Sequence, residues 1–314
     1  MVTTNVLAQI AEDYYLNKKS FGQIAEKYDL SRYLINKYLN EAVKTGVVKI
    51  EITALASRNP QLEQVFKEEF PQTNCYIIQD SATSTATEES LSKYAANLLV
   101  KHLLDNDHIV GAAWGDTMLS LVESISTAPL DQIKFTQFIG DNMKYNSMAG
   151  AMPIVEKAAK KVGGEFLTLP APLYLANDDL RQNLTQEPSL ANTLNMAAKM
   201  DTLITGIGTL GSLQSIPIWR DHLDQLFPNI ASKQIVGMIY GRPFDNQGRI
   251  LNPNQDKVFG LSLDRILQVP KRICLVRSKS KSQATLGALR AGLVTDLIFS
   301  ESLAYRILNE NDYS

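Results

Sequence analysis

The sequence predicts an all-α, winged helix-turn-helix module at the N-terminus, joined to a C-terminal α/β, Rossmann-like domain with a mostly parallel sheet. Three observations carry this. Short amphipathic helical stripes fill residues 1–52, and β-rich apolar runs alternate with longer helical patterns from residue 74 onward. The 314 residues also allow two domains at about 100–200 residues each. With 45% hydrophobic and 20% charged residues, the chain is too apolar for disorder and too long for a disulfide-stapled mini-domain.

Leu7, Ile10, Ala11, Tyr14 and Tyr15 recur at i, i+3, i+4, i+7 and i+8, so a first helix runs to about Asn17. Ser20 with Gln23 three residues on is a Ser-x-x-Gln capping box, which starts a short second helix through Tyr28. Ser31 can cap a third helix over 32–43, with Leu34, Ile35, Tyr38, Leu39 and Ala42 inside and Arg32, Tyr33, Asn36, Lys37 and Asn40 outside. Two short helices a few residues apart, the second with cationic and amide side chains outward, have helix-turn-helix geometry. Thr45-Gly46 closes the unit, and 47–52 alternates like a strand. A polar stretch, 53–60, reads as a linker into a helix at 62–70, which places the domains at 1–52 and 61–314.

Strands are expected at 75–78, 108–114, 134–139, 165–169, 201–207, 234–240, 272–276 and 296–299. Helices are expected between them at 88–104, 148–162, 188–200, 281–291 and 301–309. Ligands of open parallel sheets bind beyond the carboxyl ends of the strands, so the residues just after each strand are the candidates. Gly115, Asp116 and Thr117 follow the second strand and open a helix whose free N–H groups favour an anion. Gly140, Asp141 and Asn142 follow the third, and Gly208 follows the strand at 201–207. Near the C-terminus, Arg277, Lys279 and Lys281 bring three cations to one strand-to-helix loop, either an anion cradle or a solvated charge run. Trp114 reads as core rather than a stacking platform.

Net charge is −2, with 31 basic against 33 acidic side chains, so nucleic acid could be bound only locally. Residues 1–58 hold eight basic and six acidic side chains, a net +2 that leaves −4 for the rest. Cys75 and Cys274 each lie in an apolar run and read as buried thiols, not as metal ligands or a disulfide. His102, His108 and His222 are scattered with no carboxylate at a telling spacing, so no catalytic or metal site and no cofactor is implied. Residues 1–4 lack a signal-peptide pattern and no stretch nears the ~18 apolar residues of a membrane span, so a cytoplasmic protein without a membrane partner is expected.

Several segments resemble, in order, the SorC family of bacterial transcriptional regulators. They include residues 10–15, Gln23-Ile24-Ala25, Leu30-Ser31-Arg32, Thr45-Gly46-Val47-Val48, Trp114-Gly115-Asp116-Thr117, Leu169-Pro170-Ala171-Pro172, Gln186-Glu187-Pro188, Phe244-Asp245-Asn246-Gln247-Gly248 and Leu289-Arg290-Ala291-Gly292. The resemblance implies a non-enzymatic, sugar-responsive regulator of a carbohydrate operon. Its C-terminal domain would be similar to the glucosamine-6-phosphate deaminase and ribose-5-phosphate isomerase fold. It would bind a phosphorylated sugar or related anion and form a homodimer or homotetramer over operator DNA. Lys281 falls on the family's effector-contacting lysine. Departures fall in the same pocket: Arg277-Ser278 replaces the usual Gly-Gly, Met238 an acid that holds a sugar hydroxyl, Phe299-Ser300-Glu301 the usual Thr-Asp-Glu, and Ile139 stands where some members carry a Schiff-base lysine. These departures imply an altered effector or a pocket that no longer responds to sugar phosphate.

For DNA, Gln23 and Ser31 are expected at phosphates, with Arg32, Tyr33, Asn36 and Lys37 on base edges or backbone. One module of charge +2 binds weakly, so several linked copies are required. Two other classes stay open. One is a sugar-phosphate isomerase or deaminase using Asp116, Asp141 and Glu301; the other is an effector-independent regulator whose domain serves as a scaffold.

Overall fold

The computed structural model describes residues 4–48, 56–104, 108–127, 129–142 and 150–312. Two compact units divide the chain, Met1–Leu55 and Ala56–Ser314.

Among its described residues the first unit holds three α-helices, α1 (Thr4–Ala11), α2 (Phe21–Tyr28) and α3 (Arg32–Lys44). α1 runs on into a π-helical stretch, Glu12–Leu16, and ends where the stripe predicts, with Asn17 N–H donating to Glu12 O. The capping box of α2 is formed reciprocally: Ser20 Oγ accepts from Gln23 N at 3.3 Å and Gln23 Oε1 from Ser20 N at 2.9 Å. Asp29, at a φ of 50°, ends α2, and Ser31 Oγ caps α3 by accepting from Leu34 N. Leu7, Ile10, Ile24, Ile35, Leu39 and Ala42 form the core, while the expected inner residues Leu34 and Tyr38 are half-buried. The strand anticipated at 47–52, and with it the wing, lies outside the described residues from Lys49 onward; Val47 and Val48 form a bend.

The pattern of the first unit has no signal for its most buried charge. Asp13, in the π-helical stretch, is 3% exposed. Its carboxylate accepts from Lys27 at 2.6 Å, Lys19 at 2.7 Å, Tyr28 at 3.1 Å and Asn17 at 3.2 Å, tying the end of α1 to α2. The two ammonium groups hold its pKa far below the usual carboxylate range.

The second unit opens with α4 (Pro60–Glu69), capped by Asn59. Within the stretch 53–60 expected as a linker, residues 53–55 lie outside the described residues. Residues 57–59 instead belong to this unit: Asn59 N–H donates to Ile77 O and Gln79 N–H to Ser57 O, along an edge strand. That strand is β1 (Asn74–Ile78), followed by α5 (Ser84–Leu103), β2 (Ile109–Ala112), α6 (Asp116–Glu123), β3 (Lys134–Thr136), α7 (Ala151–Val162), β4 (Glu165–Leu167), α8 (Asp178–Leu184), α9 (Pro188–Ala197) and β5 (Thr202–Thr205). Three short helices come next, α10 (Leu210–Gln214), α11 (Pro217–Arg220) and α12 (Leu223–Leu226), then β6 (Gly237–Ile239), β7 (Arg242–Phe244) and α13 (Leu263–Leu267). The chain finishes with β8 (Lys271–Leu275), α14 (Ser282–Arg290), β9 (Asp296–Ser300) and α15 (Glu301–Asp312).

Among the described residues, seven strands form one parallel sheet in the order β1-β9-β8-β5-β2-β3-β4. The inner strands β5 and β9 are buried along their whole length, as parallel strands covered on both faces must be, and the edge strand β4 is exposed. From β2 the chain moves outward through β3 to β4, then returns at β5 and moves the other way. The strand order therefore reverses between β2 and β5, where their carboxyl ends leave a crevice.

The run at 234–240 was expected as another strand of this kind. It forms instead β6 of a separate antiparallel ribbon with β7, because Tyr240 and Gly241 both take positive φ (52° and 79°), the two-residue turn that joins antiparallel strands. Cys75 and Cys274 are free and buried, and burial pushes both thiols up to about 12. No described helix is long and apolar enough to cross a membrane.

Candidate functional site

The crevice at the carboxyl ends of β2 and β5 opens into a cavity of about 400 Å³. Its floor is built from strand-to-helix loops. After β2, Trp114 and Gly115 lead into α6, whose N-terminus has no side-chain cap among the described residues, so its first N–H groups stand at the crevice. Beyond β5, Gly208 pairs with Met238 of the ribbon through reciprocal backbone bonds of 2.8 and 2.9 Å, which folds β6 over the cavity. Following β8, a 3-10 turn ends at Lys281, where α14 begins.

Seven of the nine sequence-predicted residues line this cavity: Gly115, Asp116, Thr117, Asn142, Gly208, Arg277 and Lys281. Gly140 and Asp141 do not. Gly140 is a close-packed crossing, where a Cβ would stand 2.3 Å from Pro172 O. Asp141 turns its carboxylate to backbone, accepting from Asn142 N at 2.6 Å and Met152 N at 3.3 Å, and so holds the start of α7. Both are structural. Lys279 is exposed and lies off the cavity, so the three-cation cradle reduces to two.

Lys281 reaches across the strand order, its Nζ donating to Ile207 O at 2.7 Å. Burial lowers its pKa from the ordinary lysine value. Arg277 donates to Ser120 Oγ at 2.9 Å and lies 3.5 Å from Glu88 Oε2, while its Nε is buried with no partner among the described residues. Glu88, on α5, has no sequence signal: it sits 189 positions before Arg277 and meets it only through the sheet. Missed too is the aromatic wall. Trp114 is half-buried and lines the cavity, 5.6 Å from Trp219, which Tyr174 meets edge-on at 5.1 Å. Ile139 and Met238 add apolar lining. Such a site can hold a small polar ligand, with cations and helix N-termini at one end and ring faces at the other.

Of the enzymatic candidates Asp116, Asp141 and Glu301, Asp116 alone lines the cavity; Glu301 accepts from Asn59 Nδ2 at 2.6 Å and Phe299 is core beside Phe66. The histidines are less scattered than their spacing suggests: the rings of His102 and His108 lie 4.7 Å apart between centroids, and His108 Nδ1 meets Asp201 at 2.6 Å.

In the first unit, Gln23, Ser31, Arg32, Tyr33, Asn36 and Lys37 are all exposed, Tyr33 to 76%. The guanidinium of Arg32 lies close to Gly22 at the start of α2, where a Cβ would stand 3.3 Å from its Nη2. The side-chain oxygens of Gln23 and Ser31 serve as caps.

A family model described as "Putative sugar-binding domain" matches residues 56–309. The sorbitol operon regulator of Klebsiella pneumoniae is 23% identical over 308 residues, covering 96% of this chain and 97% of that protein. The deoxyribonucleoside regulator of Bacillus subtilis is 22% identical over 305 residues, covering 96% of each. Among solved structures, the full-length sorbitol operon regulator SorC from Klebsiella pneumoniae superposes with a TM-score of 0.78 at 22% identity, covering 98% of this chain and 99% of that one.

Proposed function

This chain belongs to the sugar-binding-domain family, that of SorC-type transcriptional regulators, and from that premise we propose that it is a DNA-binding regulator of a carbohydrate operon whose cavity senses a small anionic metabolite. One observation carries the sensing half: Lys281 and the uncapped start of α6 face one cavity at the reversal point of the sheet, a pairing suited to a phosphate or carboxylate on a sugar-like body. Thr117, Asn142, Lys281 and Arg277 are the proposed contacts, with the ring faces of Trp114 and Trp219 against the carbon skeleton. This reading carries with it the likeness to the sugar-phosphate deaminase and isomerase fold, without turnover.

The DNA half treats α2 and α3 as a helix-turn-helix. Six exposed polar residues on the starts of those helices support this: Arg32, Tyr33, Asn36 and Lys37 would enter the major groove while Gln23 and Ser31 rest on phosphates. The module's modest +2 supports a homodimer or homotetramer in the cytoplasm that engages operator DNA through several copies. A ligand can shift operator binding only by preferring one arrangement of those copies.

Two titrations test this. Operator affinity by fluorescence anisotropy should fall at least about tenfold in Arg32→Ala, the loss of one good base or phosphate contact; unchanged binding removes α3 from the interface. Sugar phosphates should raise the melting temperature of the wild type and not of Lys281→Ala, and equal stabilisation of both removes Lys281 from the site.

A further inference from the structure

At the amino ends of the strands, opposite the cavity, three ligand-bearing side chains converge. His102 in the last turn of α5, His108 just ahead of β2 and Asp201 just ahead of β5 bring atoms able to bind a metal within 4.8 Å of one another. The imidazole rings stand 4.7 Å apart at 45°.

The hydrogen bonds settle where each ring carries its proton. Asp201 Oδ1 accepts from His108 Nδ1 at 2.6 Å and from Thr202 Oγ1 at 2.7 Å. The single proton of the Thr202 hydroxyl is thereby used, so at 3.0 Å its oxygen accepts from His102 Nε2. Each ring then keeps one bare lone pair, on His108 Nε2 and on His102 Nδ1. His108 is only 9% exposed, and its Nε2 is buried with no hydrogen-bond partner among the described residues, an arrangement that costs free energy unless something fills it. A carboxylate that orients an imidazole by its far nitrogen is the usual support of a metal-binding histidine. The neighbouring cation, Lys271, is held 3.3 Å from Asp296, so it is offset by a charge of opposite sign.

We propose that this cluster binds one divalent transition-metal ion of the Zn(II) class through a ring nitrogen of each histidine, that of His108 being its unpartnered Nε2. Water completes the coordination sphere, and Asp201 fixes one ring directly and the other through Thr202. The bound ion ties the end of α5 to the starts of β2 and β5, at the end of the sheet that the cavity does not use.

The test uses the full chain without a histidine tag, stripped with EDTA and titrated with ZnCl2 by calorimetry and thermal melting. One Zn(II) should bind per chain and raise the melting temperature by about 5 °C at roughly 100 times its dissociation constant. His102→Gln and His108→Gln should each lower affinity at least about tenfold, as should Asp201→Asn, which removes no ligand but frees the ring of His108. MgCl2 should give no shift, since imidazole suits it poorly. Absence of zinc binding in the wild type, or equal affinity in His102→Gln, overturns the proposal. His102 is partly exposed at a helix end, so that variant folds and decides the matter even if His108→Gln does not.

Discussion

Asp13 in the first unit and Lys281 in the second are both charges drawn out of water, and their surroundings differ. The Asp13 carboxylate accepts four hydrogen bonds, two of them from ammonium groups, and its ionised form is strongly favoured. Lys281 has three protons to donate, and one backbone carbonyl receives them among the described residues. Burial works against its charge, and its pKa falls. A saturated buried charge holds a fold together, whereas an unsaturated one costs free energy, a cost that the anion proposed for the cavity would offset.

The largest expected effect comes from breaking the saturated side. Asp13→Ala leaves Lys19, Lys27 and Tyr28 without their common acceptor, and the first unit should lose its own unfolding transition, and with it DNA binding. The second unit should melt as before, a split that circular dichroism melts of the full chain would display. If both units melt unchanged, Asp13 is not the tie between α1 and α2.

Next is Lys281→Met, which should act in the opposite direction. Removing an incompletely paired buried cation should raise the melting temperature of the unliganded chain by about 2–4 °C and abolish its stabilisation by sugar phosphates. A variant that melts lower in the absence of ligand would mean that the bond to Ile207 outweighs the cost of burial.

The pH dependence separates the two charges further. Asp13 has a depressed pKa in the folded state, so its contribution is complete above the unfolded value near 3.8 and is lost as pH falls toward the folded one. Lys281 is also depressed, but as a base: the unfolded chain binds its proton more tightly. Stability therefore gains as pH rises from the folded value toward the ordinary 10.5, and this alkaline gain should vanish in Lys281→Met. Urea melts across pH would show both limbs.

The smallest effect concerns Arg277, whose charge is partly spent on Glu88. Because that pair is partly exposed, Glu88→Gln should improve the affinity for an anionic sugar only about two- to threefold, measured by calorimetry. No change would mean that the ligand does not meet Arg277.

Much of the fold was legible in the residues. The capping box at Ser20 and Gln23, the stripe from Leu7 to Tyr15 and the apolar runs of the sheet appear where periodicity places them, since each depends on contacts within a few positions. The ribbon of β6 and β7 was not legible as such, because its apolar run looks like any buried strand until Tyr240 and Gly241 turn the chain back. Among the cavity residues, strand-end logic found Thr117, Asn142 and Lys281. The same logic named Gly140 and Asp141, which lie off the cavity; position in sequence cannot distinguish them from lining residues, whereas their packing against Pro172 and α7 does.

The sequence by itself determined the strands of the main sheet and its longer helices, the two-part organisation, the placement of loops after strands and the local positive charge of the first unit, because caps, periodicity and composition act over short spans. Only the tertiary structure decided which charges meet. Lys281 and Ile207 lie 74 positions apart, Arg277 and Glu88 lie 189 apart, and His108 and Asp201 lie 93 apart. No local rule encodes such pairs: they depend on the order in which parallel strands lie side by side, and that order is set by the packing of the whole sheet.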